Sequence, residues 1–267
     1  MTYADITNRS WALDTPQAAM LFSSLPQNLC EKLKHAFLTA EIKTEEMDSI
    51  RTYLAGHSEI SRIISEKPGS ALAFEYLYRL KDAASAIDCY FLQSTAGRHV
   101  EGRLRALETY LPSLIKPLID DRTVLVDNIG SGPGHDMIRV LNNNPALAAK
   151  VHVRNIVPDE DALVIGIREV STLNLSDSFS FVCREFQRVK PRHADIVLLI
   201  GILCPLPMKI CEKIIRILKR YARPDGLIIF STNQVGMLIH DPLTDFLMRL
   251  AGWEMDYKTD MEAASIA

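Results

Sequence analysis

One stretch near the middle of the chain combines three local signals in a fixed order. Thr123–Val126 is a short apolar run rich in β-branched residues, which favours a strand. Gly130, Gly132 and Gly134 follow at every second position, and Met137–Leu141 can continue as a helix. Glycines permit backbone angles that a Cβ forbids, and the first turn of a helix offers unpaired N–H groups to an anion. We therefore expect a binding site for an adenine nucleotide or a related molecule.

The composition places few limits on what the chain does. Its 267 residues are 48% hydrophobic and 24% charged, which is ordinary for a globular protein, and the net charge of -3 predicts neither a nucleic-acid partner nor a membrane surface. The first residues lack a basic segment followed by an apolar one, and no apolar run reaches the ~18–20 residues that span a bilayer. The five cysteines contain no CxxC pair. We expect a cytoplasmic protein with reduced thiols and no metal site.

Two regions differ in their hydrophobic patterns. Residues 1–118 read as helical, with the longest helix expected over Ala71–Gln93 and another over Arg98–Ile119, kinked or broken near Pro112 or Pro117. The region is either a bundle that packs on the next domain or a cap that selects a substrate, and the two roles are compatible.

Residues 119–267 alternate between strand and helix patterns. This alternation predicts an α/β fold with a doubly wound, mostly parallel sheet, whose ligands bind at the carboxyl ends of the strands. The expected strands are Thr123–Val126, Val151–Val157, Phe179–Cys183, Ala194–Ile200 and Gly226–Ser231.

The glycine spacing narrows the choice of ligand. A dinucleotide fingerprint would read GxGxxG, and a Walker A loop would place Lys and Ser or Thr after the last glycine. This chain has GxGxG followed by His135 and Asp136. The spacing resembles motif I of class I S-adenosylmethionine-dependent methyltransferases, which have a Rossmann-like fold. The resemblance covers about residues 122–232 and includes four further segments: Ala162–Leu163, Phe181–Phe186, Asp195–Gly201 and Leu218–Leu227.

The resemblance implies a set of cofactor-binding residues for S-adenosylmethionine. The three glycines would pass against its methionine part, Asn155 and Ile156 would lie near its ribose, Glu185 and Phe186 would contact its adenine, and Ile200 and Gly201 would line the floor of the site. The family usually has acids at the positions of Asn128 and Asn155. Asparagine still donates and accepts hydrogen bonds but lacks the charge that strengthens them.

Two histidines are candidates for catalysis. His135 follows the third glycine, and it is either an acceptor contact or a partly exposed residue of the helix's first turn. His240 precedes Asp241 in a loop, where a solvated pair is the simpler reading than a general base. The loop of residues 201–207 is apolar and lacks the Asn/Asp-Pro-Pro-aromatic motif of nucleobase methyltransferases, which favours a small, partly apolar acceptor.

The end of the chain is shorter than the resemblance implies. The family continues with strands six and seven, which are missing or incomplete here unless Trp253–Lys258 is strand six. An incomplete sheet exposes an edge, so either the chain is shortened or a homodimer covers the edge.

Three hypotheses follow for the function. The first is methyl transfer to oxygen or nitrogen of a small molecule, a carboxylate among the options. The second is a non-catalytic, cofactor-binding scaffold or regulatory protein. The third is aminoalkyl transfer of the nicotianamine-synthase type, which uses the same cofactor.

Overall fold

A computed structural model describes residues 9–78, 81–119 and 122–266. The chain divides into two compact units. The helical unit comprises Met1–Gly102 and Asn233–Thr259, and the sheet unit comprises Arg103–Thr232 and Asp260–Ala267. This division begins the sheet unit earlier than the boundary expected at residues 118 and 119. It also assigns a late segment of the chain to the helical unit.

Seven α-helices precede the first strand in the described residues. Thr15 caps the first, accepting a hydrogen bond from the backbone N–H of Ala18 at 3.1 Å, with Pro16 at the first helical position. The helices are α1 (Pro16–Ser23), α2 (Gln27–Thr39), α3 (Thr44–His57), α4 (Glu59–Glu66), α5 (Ala71–Leu77), α6 (Ala86–Gln93) and α7 (Thr95–Ile115).

The single long helix expected over Ala71–Gln93 is wrong. The structure has two short helices, α5 and α6, and a non-helical backbone over residues 81–85; residues 79 and 80 lie outside the described residues. The Ser85 side chain accepts a hydrogen bond from the Asp88 backbone N–H at 3.0 Å and starts α6 as a new helix. A serine competes with the helical backbone for hydrogen bonds, and here that competition outweighs the apolar periodicity.

The helix that contains Pro112 begins and ends earlier than the expected Arg98–Ile119. α7 begins at Thr95 and continues through Pro112 to Ile115, and Pro117 lies in the short 3₁₀ turn Lys116–Leu118 that follows. The helix therefore ends before the second of the two prolines.

The sheet unit is an α/β unit, as expected. Its five strands are all parallel, in the order β3-β2-β1-β4-β5. The elements are β1 (Val124–Ile129), α8 (His135–Asn142), α9 (Pro145–Ala148), β2 (Val151–Val157), α10 (Glu160–Thr172), β3 (Phe179–Cys183), β4 (Ala194–Leu199), α11 (Met208–Leu218) and β5 (Ala222–Phe230).

The two faces of the sheet have separate apolar cores. Val126, Val153 and Ile196 pack with Met137 and Ile138 of α8 on one face. The other face packs against α11, through a cluster that includes Ile129, Val197, Leu199, Ile215 and Leu218. Since β1 has neighbours that the chain reaches in opposite directions, the carboxyl ends of β1 and β4 form the topological switch point.

Three helices follow β5: α12 (Val235–His240), α13 (Pro242–Leu250) and α14 (Asp260–Ile266). Trp253–Lys258 is not a strand of the sheet; Lys258 forms only an isolated parallel bridge with Gln234. The sheet of the described residues thus has five strands, without strands six and seven. In the part of the chain that is described, no helix has both the length and the apolar character to cross a bilayer.

Candidate functional site

The glycine loop joins β1 to α8 at the carboxyl edge of the sheet. Gly130, Gly132 and Gly134 have φ angles of 63°, 54° and 88°, all in the left-handed region. A side chain at Gly134 is excluded by space as well, because a Cβ there would lie 2.2 Å from Nδ2 of Asn155. The sequence pattern therefore reflects a backbone that only glycine adopts at low cost.

The loop after β4 meets the glycine loop at the switch point. A Cβ on Gly130 would lie 2.5 Å from Cδ1 of Ile202, so the two loops are in close contact. Gly201 has a φ of 83°, and its N–H donates to Oγ of Ser231 at 2.8 Å. Ile200 lies beside it, half-buried, at the end of β4. The residues expected to form the floor of the site are thus brought to the glycine loop.

Asn128 and Asn155 lie side by side on β1 and β2 and are fully buried. Nδ2 of Asn128 donates to Oδ1 of Asp136 at 2.8 Å, and Nδ2 of Asn155 lies 3.5 Å from the Pro133 carbonyl oxygen. No described residue donates a hydrogen bond to Oδ1 of either asparagine. A buried acceptor without a donor is costly, so each oxygen requires a water or a ligand group.

Asp136 supplies a negative charge next to the position where the sequence has Asn128 instead of an acid. Its side chain is buried in the first turn of α8, and Oδ1 also accepts from the Met137 backbone N–H at 2.8 Å. Burial raises the pKa of Asp136, while these hydrogen bonds and the positive charge of Arg103 act to lower it. The sequence indicated only a first-turn acid that complements the helix dipole, since contact with Asn128 depends on the fold.

Arg103 of α7 brings a positive charge to the same edge. A Cβ on Gly201 would lie 3.3 Å from Nη1 of Arg103, so the guanidinium packs against the backbone that follows β4. Its charge is also felt by Asp136. Arg103 and Asp136 therefore place an arginine and an aspartate together near the switch point. Nothing in the spacing of α7 singled out Arg103 in the sequence.

The two histidine candidates have different positions. His135 is 4% exposed, more buried than the partly exposed first-turn residue considered from the sequence, and its Nδ1 lies 2.7 Å from Oε2 of Glu169 on α10. This contact joins α8 to α10. His240 is exposed at the end of α12 in the helical unit, and the neighbouring Asp241 caps α13 through the Thr244 N–H. A catalytic role for either histidine stays a prediction.

The remaining expected contacts lie along β2 and after β3. The Ile156 side chain is buried on the face of the sheet that packs against α11. Its carbonyl oxygen accepts a hydrogen bond from the Gly130 N–H at 2.8 Å. Glu185 is exposed and Phe186 is half-buried in the turn that follows β3. No cluster of three or more His, Cys, Asp or Glu side chains suited to a metal occurs within residues 9–78, 81–119 and 122–266.

The raised pKa of Asp136 predicts how stability depends on pH. The folded state holds the proton more tightly than an unfolded aspartate with its ordinary value of 3.8, so ionisation at higher pH destabilises the fold. Asp136→Asn should therefore raise the free energy of unfolding, and the gain should grow as the pH rises above 3.8. Urea unfolding followed by circular dichroism measures it. Asp161→Asn, at an exposed acid of α10, is the matched control; a gain that does not vary with pH would contradict the assignment.

Comparison with known proteins identifies the fold. No family model and no curated protein sequence matches the chain. Among solved structures, magnesium protoporphyrin IX methyltransferase from Synechocystis PCC 6803 with bound SAH is similar over 82% of this chain and 86% of that chain, at 14% identity and a TM-score of 0.51. A protein described as an O-methyltransferase from Nostoc punctiforme PCC 73102 is similar over 78% of this chain, at 16% identity and a TM-score of 0.50.

The chain spans 65% of the length of the Nostoc protein. A third similar structure is a SAM-dependent methyltransferase from Geobacter sulfurreducens in complex with S-adenosyl-L-homocysteine. The similarity covers 47% of this chain and 47% of that chain, at 17% identity and a TM-score of 0.38. The expected fold, that of a class I S-adenosylmethionine-dependent methyltransferase with a helical N-terminal region, is confirmed.

Proposed function

We propose that this chain is an S-adenosylmethionine-dependent methyltransferase that acts on a small-molecule acceptor. The observation that carries the proposal is the glycine loop, with its three left-handed glycines, at the switch point of a five-stranded parallel sheet. Structural neighbours of the same fold are methyltransferases, and one of them has SAH bound. Because their identity to this chain is low, the structural similarity supports only the fold. The proposed activity therefore rests on the residues of the site.

The residues of the site fit an amino-acid ligand. Asp136 and the orphaned Oδ1 of Asn128 offer acceptors for an ammonium group, and Arg103 offers a partner for a carboxylate. The methionine part of S-adenosylmethionine carries both groups. We assign the glycine backbone and these three side chains to that part of the cofactor.

The adenosine part is assigned to the neighbouring strand ends. Oδ1 of Asn155 lacks a donor among the described residues and would accept from a ribose hydroxyl or from a water that bridges to it. Glu185 and Phe186 follow β3, where the resemblance places the adenine. Ile200 and Gly201 complete the floor beside β4.

S-adenosylmethionine, when bound, supplies an electrophilic methyl group, so the protein needs to align the acceptor rather than activate the donor. The apolar loop of residues 201–207 follows the floor of the site and favours a partly apolar acceptor. The position of this loop and the expected role of residues 1–118 as a substrate cap both support a small molecule as the substrate.

Cofactor binding is the first test. Calorimetric titration should give saturable binding of S-adenosylmethionine and S-adenosylhomocysteine, and Asn128→Ala and Asn155→Ala should each weaken it by about tenfold, since each removes one hydrogen bond of about 1.5 kcal/mol. Asn143→Ala, at an exposed asparagine next to α8, is the control. Absence of binding at millimolar cofactor, or unchanged affinity in both variants, would show that the site is assigned incorrectly.

Turnover separates the three hypotheses. With a methyl-labelled cofactor and a panel of small carboxylates, hydroxyls and amines, a methyltransferase yields labelled product and S-adenosylhomocysteine. Release of methylthioadenosine would instead indicate aminoalkyl transfer. Tight binding without either product across the panel would favour a non-catalytic scaffold.

A further inference from the structure

The charge of the chain is unevenly distributed. Residues 184–193 carry four Arg or Lys side chains and one Glu, and residues 216–225 carry four and one Asp, so the two segments together have a formal charge of +6. The remaining residues have a formal charge of -9, because the whole chain is at -3. The net charge alone therefore conceals a strongly basic part of the sheet unit.

The two basic segments lie against each other. Tyr221 follows α11, and its hydroxyl donates to the carbonyl oxygens of Phe186 and, at 2.7 Å, Val189. The Ala194 N–H at the start of β4 donates to the Tyr221 carbonyl oxygen, also at 2.7 Å. These contacts join the segment before β4 to the segment before β5, and we refer to residues 184–193 and 216–223 as the basic face.

Several cations of the basic face are available to a partner. Arg184, Arg188, Lys190 and Arg220 are exposed, and none of them forms an ion pair with another residue of the described part of the chain. The negative end of the α11 dipole offsets only about half a unit charge near Arg220. The positive charge at this surface is therefore largely uncompensated.

Other cations of the face are held in place by buried acids. Arg192 Nε donates to Oδ1 of Asp127 at 2.7 Å, and Arg223 Nη1 lies 2.7 Å from Oδ1 of Asp195. Both aspartates have side chains at most 2% exposed. These ion pairs hold the backbone of the segments that carry the exposed cations. The basic face is therefore formed before any partner binds.

The basic loop, residues 184–193, packs on the same face of the sheet as α11 and has no α-helix of its own among these described residues. The connection from β3 to β4 contains only the short 3₁₀ turn Phe186–Arg188, whereas α8 and α10 connect the strands on the opposite face. As a result Arg154 of β2 is half-buried beneath the loop, and its Nη1 donates to the Lys190 carbonyl oxygen at 3.2 Å. The basic loop lies directly on the strands and leaves an accessible surface.

We propose that the basic face binds the phosphate backbone of a nucleic acid. Six of the eight cations in its two segments are arginines, whose planar guanidinium matches phosphate oxygens in pairs. This proposal does not require the proposed function, because its cations are not among the residues assigned to the cofactor, although Glu185 and Phe186 lie in the same segment. It differs from the expectation, drawn from net charge, that the chain has no nucleic-acid partner.

The test uses the full chain and a fluorescein-labelled single-stranded RNA of about 16 nucleotides, followed by fluorescence anisotropy. Binding should weaken steeply with salt, with a log–log slope near -3 for about four phosphate contacts at about -0.7 per contact. A variant with Glu at four exposed positions of the basic face should bind RNA at least tenfold more weakly and show a flatter salt slope. The four positions are Arg184, Arg188, Lys190 and Arg220.

The matched control replaces four exposed cations outside the basic face with Glu and so changes the net charge equally. These residues are Lys43, Lys67, Lys116 and Arg168. An equal loss in the control variant would show that only total charge matters and would overturn the proposal. So would the absence of RNA binding at low salt, or equally tight binding of a polyglutamate peptide of the same charge, which would indicate an acidic protein partner. Circular dichroism of both variants shows whether the fold is kept; if the basic-face variant does not fold, Arg184→Gln and Arg188→Gln together should still weaken binding.

Discussion

Replacing Arg103 with glutamine should weaken S-adenosylhomocysteine binding by about 10- to 100-fold, because hydrogen bonds to charged groups contribute about 1.5–3 kcal/mol. The guanidinium of Arg103 packs against Gly201 beside the glycine loop, where we assign the cofactor's carboxylate. Glutamine keeps a polar side chain, although a shorter one, and removes the charge. Calorimetric titration of the variant measures the effect.

Two comparisons make this result specific to the carboxylate. Adenosine lacks the amino-acid part, so its affinity should be the same for Arg103→Gln and for the unaltered chain. Arg105→Gln changes an exposed arginine on the same helix and should leave both ligands unaffected. An equal loss of adenosine and S-adenosylhomocysteine affinity would show that Arg103 supports the fold of the site rather than the ligand.

Replacing Asp88 with alanine should lower the free energy of unfolding of the helical unit by about 3 kcal/mol or more, because several hydrogen bonds to one buried carboxylate are lost together. Asp88 is fully buried. Its Oδ1 accepts from Ser58 Oγ at 2.6 Å and from the Ile60 N–H at 3.0 Å, and Oδ2 accepts from Ser85 Oγ at 2.9 Å. The carboxylate therefore joins the first turns of α4 and α6, and its removal leaves buried donors without acceptors.

The tryptophans make this effect measurable in one unit. The chain has two, Trp11 and Trp253, and both belong to the helical unit, so urea unfolding followed by tryptophan fluorescence reports on that unit. Asp82→Ala, at an exposed aspartate in the preceding loop, should change stability by less than about 0.5 kcal/mol. Equal midpoints for Asp88→Ala and the unaltered chain would contradict the role of the buried carboxylate.

The fold of the sheet unit followed from local patterns because those patterns agree with the tertiary structure. The strand Val151–Val157 was predicted with the bounds that it has, and the glycine spacing reflects three left-handed backbone positions. The parallel arrangement of the strands was inferred from the alternation of strands and helices, whereas their order was not predicted. Where propensity, periodicity and connection rules coincide, sequence alone was sufficient.

Other features depend on contacts that no local pattern records. The break between α5 and α6 arises from Ser85 and from Asp88, whose carboxylate is satisfied by residues about thirty positions earlier. Asp136 lies beside Asn128 only after the glycine loop reverses the chain, so its charge at the site could not be assigned from spacing. The return of Asn233–Thr259 to the helical unit has the same cause, since apolar helical patterns do not specify which core they join.

This return has a consequence for synthesis of the protein. Phe37 of α2 stacks edge-to-face on Phe246 of α13, with ring centroids 5.7 Å apart, and Leu243 and Leu247 belong to the same core. The first helices are translated long before these partners, and residues 103–232 of the sheet unit are translated in between. Part of the apolar surface of the early helices therefore stays uncovered until α13 has been translated, and exposed apolar surface of this kind favours aggregation.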